Sequence, residues 1–200
     1  MNRRDFLVTL SAASAALAFP VAGVEAQDVE YLRALERAQQ ERPPVLSWRA
    51  RIAPKDEPGI PMVIHGRVFK SDGRTPASGI IVFAYHTDRT GIYADRSKGP
   101  HVWRLRGWAQ TDAGGHFEFE TIRPAPYPGR ATAAHVHITL EGSGLPRQTA
   151  QGLLFDDDPI VTPDERSKSA RDGVFGDVRK VEVRDGVQHV TANFRIASGG

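Results

Sequence analysis

Two histidines and a tyrosine lie close together in the stretch Tyr127–His137. His135 and His137 are two residues apart in an apolar run, and side chains two apart on a β-strand point to the same face. Imidazole is the commonest protein ligand for metals, and the phenol of Tyr127 adds a hard oxygen donor. This donor set suits a trivalent cation better than zinc or copper(I). The spacing favours a metal site, although His-x-His on one strand also occurs without a metal.

The segment from residue 61 onward must position these donors, and it consists of short apolar or alternating runs separated by Gly, Pro and Asp. Seven strands with little helix between them predict an all-β fold, a β-sandwich whose end loops carry the site. The predicted strands are Met62–Phe69, Ile80–His86, Val102–Gln110, His116–Thr121, Ala134–Leu140, Val178–Arg184 and Val187–Ile196.

Two further segments lack this strand pattern. Apolar residues recur three or four apart from Asp28 to Gln40, which predicts a short amphipathic N-terminal helix that serves as a docking arm or subunit contact. The acidic stretch from Phe155 to Arg171 lacks the spacing and the glycine of a calcium-binding EF-hand. We interpret this stretch as a solvated loop without chemistry.

The N-terminus has the features of an export signal. Arg3 and Arg4 precede a weakly apolar run that ends in small residues, and the adjacent arginines resemble the twin-arginine type. The run is short and rich in Ala and Ser, so we expect periplasmic export and no stable membrane span. The predicted organisation is an export signal at residues 1–26, a helix and arm at 27–60, and a sandwich at 61–200.

Composition excludes several classes of function. The net charge is only +2 and the basic residues are dispersed, which argues against nucleic-acid binding. The chain contains no cysteine, so thiolate metal sites and disulfides are excluded. Stability must therefore come from the core and from any bound metal.

An ordered series of motifs extends the histidine pair into a longer pattern. The motifs are Gly66-Arg67-Val68, Asp72-Gly73-Arg74-Thr75-Pro76, Gly91-Ile92-Tyr93-Ala94-Asp95, Arg106-Gly107, Gly115-His116-Phe117, Pro126-Tyr127-Pro128 and His135-Val136-His137. Their order resembles the intradiol ring-cleavage dioxygenases, the family of protocatechuate and catechol dioxygenases. The resemblance spans roughly residues 61 to 160.

This resemblance implies a non-haem Fe(III) held by two tyrosines and two histidines on the sandwich. Carried over by motif, Tyr93 and Tyr127 are the phenolate ligands, and His135 and His137 are the imidazole ligands. Tyr127 matches the axial ligand that leaves when substrate binds. The implied reaction is cleavage of a catechol-type aromatic by O2 to a cis,cis-muconate-type diacid.

The residue types fit that chemistry on their own terms. Two phenolates offset much of the charge of ferric iron, stabilise it over the ferrous state, and should colour the protein red-brown. A catechol that chelates iron must lose two protons. The departing phenolate of Tyr127 is a natural acceptor for one of them.

The chain departs from the family pattern at three positions. The family usually has an arginine three residues before the first histidine ligand, where this chain has Thr132. We interpret Arg130 as the catalytic cation that replaces it, the alternative being a salt-bridged loop arginine. A glutamine often stands where this chain has Gly152, with Gln151 one position away, and Gly129 replaces a bulky pocket wall. The identity of the catechol therefore does not carry over.

Two questions about function and assembly stay open in the sequence. The alternative function is a non-catalytic periplasmic sandwich that binds iron or catecholates. The compact core resembles a protocatechuate dioxygenase β-subunit, which implies a homo- or hetero-oligomer whose contacts help form the pocket. The other histidines, of which only His101 is a candidate for lining the pocket, are interpreted as surface or core residues: His65, His86, His101, His116 and His189.

Overall fold

Strands with alternating burial build two β-sheets in a computed structural model that describes residues 32–34, 36–93, 103–142, 144–150 and 152–197. Helix α1 comprises residues 32–34 and 36–40. Helix α2 is Pro163–Asp172, and a 3-10 turn follows at Gly173–Phe175. The strands are β1 (Arg49–Arg51), β2 (Pro61–Phe69), β3 (Ile81–His86), β4 (Leu105–Gln110), β5 (His116–Ile122), β6 (His135–Gly142), β7 (Leu145–Thr149), β8 (Leu153–Phe155), β9 (Val178–Arg179), β10 (Val181–Arg184), β11 (Val187–Thr191) and β12 (Phe194–Arg195).

Each sheet contains six of these strands. The first has the order β1-β5-β2-β11-β10, and β12 also pairs with β2. The second has the order β4-β3-β6-β8-β9, and β7 also pairs with β6. Strand β6 is central in the second sheet, where its register with β3 places Tyr85 opposite His137.

The main core contains apolar side chains from both sheets. Ile64 and Phe119 belong to the first sheet, whereas Val82, Val136 and Ile138 belong to the second, and all five are fully buried. Because strand side chains alternate between faces, the neighbours of Val136 and Ile138 on β6 point away from this core. His135 and His137 therefore lie on the outer face of the second sheet.

A second apolar cluster covers part of that outer face. Phe83 and Tyr85 of β3 and Trp108 of β4 pack with Ala38 of helix α1. Trp103 and Tyr93 pack against the same cluster. Helix α1 therefore extends the protein beyond a simple two-layer sandwich, and it lies on the side that carries the histidines.

The predicted fold class is confirmed: the structure is an all-β sandwich with a short N-terminal helix, and five predicted strands correspond to β2 to β6. Residues 28–31 of the predicted helix lie outside the described residues, as do the export signal at residues 1–26, His101 and Gln151. The prediction missed β1, β7 and β8, and β1 lies inside the predicted arm. No helix among the described residues is long and apolar enough to cross a membrane.

The predicted solvated loop from Phe155 to Arg171 is wrong for its second half, because Pro163–Asp172 is helical. The helix begins with a capping box in which Thr162 accepts a hydrogen bond from the backbone of Glu165. It buries little, with only Ser169 below the surface, so it has no apolar stripe that periodicity could detect.

Both C-terminal strand predictions are wrong in extent, because each of these segments forms two strands. Residues 178–179 pair with β8 in the second sheet, whereas residues 181–184 pair with β11 in the first. The chain crosses between sheets at Lys180. The run from 187 to 196 is likewise interrupted at residues 192–193, and both of its strands pair with β2. Alternation within a segment does not indicate which sheet it joins.

Candidate metal centre

Strand β6 supplies two of the predicted metal ligands, His135 and His137. Both side chains are half-buried and separated by the buried Val136. Their Nε2 atoms are 3.0 Å apart. The pleat of the strand therefore aims the two imidazoles at one point, as their spacing predicts.

Tyr93 reaches the histidines from the loop that follows β3. The Asp88 side chain organises this loop, because its Oδ1 accepts hydrogen bonds from the backbone of Thr90 at 2.8 Å and of Ile92 at 3.2 Å. The carbonyl of Tyr93 accepts a hydrogen bond from the backbone of Arg104 at 2.9 Å. These bonds define the backbone position from which the phenol projects.

A charged group from the N-terminal arm anchors the same loop. The Arg104 guanidinium pairs with both carboxylate oxygens of Glu57 and lies 3.3 Å from the Asp88 carboxylate. The Glu57 side chain is only 7% exposed, so solvent screens the pair weakly. Glu57 thereby connects the arm to the loop of Tyr93.

Tyr127 projects from the loop between β5 and β6, which packs directly on the Tyr93 loop. The Thr87 hydroxyl donates to the Ala125 carbonyl at 2.7 Å, and the Ala125 amide donates to the Asp88 carbonyl at 3.1 Å. Gly91, at φ +82°, lies so close to the Pro126 carbonyl that an added Cβ would approach it to under 3.0 Å. Only glycine permits this backbone approach, which brings the two phenols together.

The four predicted ligands converge with every pair of donor atoms within 3.5 Å. The Tyr93 Oη contacts the Tyr127 Oη and lies 2.8 Å from His137 Nε2 and 3.5 Å from His135 Nε2. The Tyr127 Oη lies 2.9 Å from His135 Nε2 and 3.4 Å from His137 Nε2. Donors bound about 2 Å from one ion lie roughly 3 Å from each other, so this spacing fits a single metal ion.

Neighbouring groups hold both imidazole rings in orientation. The Nδ1 atom of His135 lies 2.8 Å from the carbonyl oxygen of Ala133. A carbonyl can only accept, so Nδ1 carries the proton and Nε2 is free to bind a metal. The His137 ring stacks on Tyr85 at 4.5 Å between centroids, and Tyr85 stacks in turn on Trp103 at 3.8 Å. Ring stacking and the carbonyl bond therefore preorganise the two nitrogens.

Burial disfavours the charged forms of three of the four groups in the metal-free protein. It raises the pKa of Tyr93 far above its ordinary value, and the bond to Tyr127 raises it further. Burial also raises the pKa of Tyr127, although the Tyr93 hydrogen bond and Arg130 lower it. Burial, and then repulsion from His135, lowers the pKa of His137 to about 4. A trivalent cation among these donors would favour the phenolates.

Comparison with known proteins identifies the family. A family model described as Dioxygenase matches residues 40–198. The chain belongs to the intradiol ring-cleavage dioxygenase family. Within this family, catechol 1,2-dioxygenase 2 of Acinetobacter lwoffii is 31% identical over 157 residues, which cover 70% of this chain and 56% of the relative.

Two other relatives define the extent of the similarity. The 6-chlorohydroxyquinol 1,2-dioxygenase of Cupriavidus pinatubonensis is 36% identical over 154 residues, which cover 69% of this chain and 52% of the relative. This chain therefore spans about half the length of the curated relatives it matches. The dioxygenase domain of a dioxygenase carbohydrate-binding protein fusion from Streptomyces sp. SirexAA-E has a TM-score of 0.59 at 24% identity, covering 78% of this chain and 92% of that domain. That similarity supports the fold.

The structure places Arg130 beside Tyr127. Its backbone amide donates to the Tyr127 carbonyl at 3.2 Å, and its guanidinium carbon lies 5.9 Å from the centre of the Tyr127 ring. The Arg130 side chain is exposed, and no salt bridge to it occurs among the described residues. Thr132 and Gly152 are also exposed.

Sequence reasoning missed the residues that position the ligands. Glu57, Arg104 and Tyr85 belong to no local motif, and only the tertiary structure brings them to the site. Asp88 did leave a signal, because an Asp two residues before a Thr is typical of a side-chain-capped turn. His86 is a satisfied core residue, as interpreted, with Nδ1 donating to the Thr87 carbonyl and Nε2 accepting from Thr121.

Proposed function

We propose that this protein is an Fe(III)-dependent intradiol dioxygenase that cleaves a catechol-type aromatic with O2 to a cis,cis-muconate-type diacid. The observation that carries the proposal is the convergence of two phenol oxygens and two imidazole nitrogens, all within 3.5 Å of one another. The activity of the family relatives supports it. The relatives are named for catechol and for 6-chlorohydroxyquinol, so adjacent hydroxyls on one ring define the proposed substrate class.

Tyr93, Tyr127, His135 and His137 would hold the iron. Phenolate is a hard anionic ligand that favours the ferric state, and this chain has no thiolate to compete with it. When bound, ferric iron would act as a Lewis acid that polarises a chelated catecholate for reaction with O2. The orientation of the imidazoles by Ala133 and Tyr85 would limit reorganisation on metal binding.

Tyr127 and Arg130 are the residues we propose to act on substrate. The Tyr127 Oη would leave the ligand set and accept a catechol proton, because the Tyr93 ring is packed against the outer apolar cluster and the Tyr127 ring does not belong to that cluster. Arg130 lies on the same loop, within reach of the Tyr127 ring. Its guanidinium would stabilise negative charge on the ring as O2 attacks.

Absorption spectroscopy and oxygen uptake test the proposal. Protein reconstituted with iron(III) should be red-brown, its phenolate-to-iron band should shift when catechol or hydroxyquinol is added, and oxygen should be consumed over many turnovers. Tyr93→Phe removes one of the two phenolates and should weaken and shift the band, and the double variant Tyr93→Phe/Tyr127→Phe should lose it. Tyr85→Phe, which keeps the ring that stacks on His137 but is not one of the four donors, should retain it.

Two outcomes of this test would contradict the proposal. A wild-type protein that takes up no iron would exclude the metal site. A colour shift without oxygen consumption would favour the alternative, a periplasmic sandwich that binds iron or catecholates without turnover.

We also propose that the protein is exported by the twin-arginine route and assembles into an oligomer. The adjacent Arg3 and Arg4 support the first proposal. Cell fractionation should find the protein in the periplasm and its Arg3→Lys/Arg4→Lys variant in the cytoplasm. Sedimentation equilibrium should give a mass above the 21.9 kDa of one chain.

A further inference from the structure

A buried carboxylate lies behind the proposed ligand His135. Asp158 is only 5% exposed and belongs to the turn between β8 and helix α2. Its Oδ1 accepts a hydrogen bond from the Ile160 amide at 2.9 Å, which closes the local turn. Its Oδ2 accepts from the Ala134 amide at 2.8 Å, a contact between residues 24 positions apart.

The peptide group that contacts Asp158 also contacts His135. The amide of Ala134 and the carbonyl of Ala133 belong to one peptide bond. That carbonyl accepts the Nδ1 proton of His135 at 2.8 Å. Asp158, one peptide group and the imidazole therefore form a continuous chain of two hydrogen bonds.

We propose that Asp158 is a positioning residue that acts on His135 through the Ala133–Ala134 peptide. A carboxylate that accepts from the amide end increases the negative charge on the carbonyl end, and hydrogen bonds in such chains strengthen one another. The strengthened carbonyl holds the His135 proton on Nδ1 and makes Nε2 a better donor to a metal. This inference rests on the proposed iron site, but its effect on the tautomer exists without metal.

Helix α2 fixes the turn that aims this carboxylate. Arg166 donates to the backbone carbonyl of Asp156 at 2.8 Å and to that of Asp158 at 3.1 Å. Asp156 is itself occupied, because its Oδ1 accepts from the Val181 amide at 2.9 Å. Asp157 pairs with Arg123 at 2.7 Å. Each of the three neighbouring aspartates therefore has a different hydrogen-bond or ion-pair partner.

Asp158→Asn tests the proposal, with Asp157→Asn as the matched control. Asparagine keeps the shape but can accept from only one of the two amides and lacks the charge. Two measurements apply: ¹⁵N NMR of the histidine side chains in the metal-free protein, and iron(III) affinity by chelator competition. Asp158→Asn should shift His135 toward a mixture of tautomers and weaken iron binding about tenfold, whereas Asp157→Asn should change neither.

Wild-type behaviour of both quantities in Asp158→Asn would overturn the proposal, as would equal losses in the two variants. If wild-type protein binds no iron, the proposed function fails while the tautomer measurement still decides this inference. If Asp158→Asn does not fold, the His135 tautomer and the exchange rate of the Ala134 amide in metal-free wild-type protein test the proposal instead. His135 protonated on Nε2, or an unprotected Ala134 amide in hydrogen exchange, would contradict the relay, and the opposite result would support it.

Discussion

At the scale of single residues, Arg130 combines an exposed side chain with a position against the Tyr127 ring. An exposed guanidinium retains its charge and can move toward a bound substrate without breaking an ion pair among the described residues. Thr132, which stands at the usual family position, has no charge to offer.

We expect Arg130→Gln to lower kcat for ring cleavage by roughly 100-fold with a much smaller change in iron affinity, because the lost charge acts mainly on the transition state and only secondarily on the Tyr127 phenolate. The kcat of Arg130→Lys should fall between those of the wild type and Arg130→Gln, since lysine keeps the charge but not the planar group. Steady-state oxygen uptake provides kcat and KM. Arg89→Gln, at an exposed position on the Tyr93 loop, is the control. Unchanged kcat in Arg130→Gln would show that Arg130 has no catalytic role.

At the scale of elements, the site depends on two loops that pack against each other. Strand β6 aligns the imidazoles, but each phenol comes from a separate connection, after β3 and before β6. The close approach of Gly91 to Pro126 and the Thr87 bond to Ala125 hold these connections together. The distance between the phenols is therefore a property of loop packing.

Gly91→Ala should separate the two phenols and abolish iron binding in a protein that still folds. Gly129→Ala is the control, because Gly129 has a similar left-handed φ of +71° but nothing within 4 Å of an added Cβ. Both variants incur roughly 1 kcal/mol of backbone strain, and only Gly91→Ala also meets the Pro126 carbonyl. Chelator competition measures iron affinity, and equal affinities in the two variants would refute this account.

Glu57→Gln should loosen the Tyr93 loop from the N-terminal arm. Replacing the carboxylate weakens a charge-assisted, largely buried pair with Arg104, at a cost of about 1–2 kcal/mol in the free energy of unfolding. Hydrogen exchange of residues 88–93 should accelerate. Asp56→Asn changes an exposed neighbour and should leave that exchange as in wild type. If the loop exchanges at the wild-type rate in Glu57→Gln, the arm does not anchor it.

At the scale of the whole molecule, a buried histidine in the sandwich core couples stability to pH. His86 is fully buried, and desolvation lowers its pKa to about 4 from the ordinary 6.5, although the Thr87 carbonyl opposes this. In the unfolded chain His86 binds a proton below about pH 6.5, whereas in the folded protein it binds one only below about pH 4. Stability must fall as the pH decreases through this window.

The metal-free protein should lose about 3 kcal/mol of stability to His86 between pH 6.5 and pH 4. Urea denaturation at several pH values measures the loss. His86→Gln, which keeps a polar side chain next to Thr121, should show a shallower dependence. Part of the slope should remain, because the pKa of His137 is lowered in the same way. An identical slope in the variant would show that His86 titrates normally.

Some of the fold could be predicted because its signals are local. Period-two alternation marks β2, β5 and β6, a continuous apolar run marks β3, and the His-x-His spacing places two imidazoles on one face. Helix α2 also had a local signal, the capping box from Thr162 to Glu165 with Pro163 at the first helical position. Periodicity does not detect this helix, because the helix lacks an apolar face.

The sequence by itself determined the donor types, the strand that carries the histidines and the family of the chain. Only the tertiary structure decided that the donors converge on the outer face of the second sheet, beside helix α1. It also decided that Glu57 pairs with Arg104 next to the Tyr93 loop and that Asp158 bonds the backbone next to His135. The physical reason is range. Alternation and turn chemistry act over a few residues, whereas the contacts from Gly91 to Pro126 and from Asp158 to Ala134 form only when distant segments pack together.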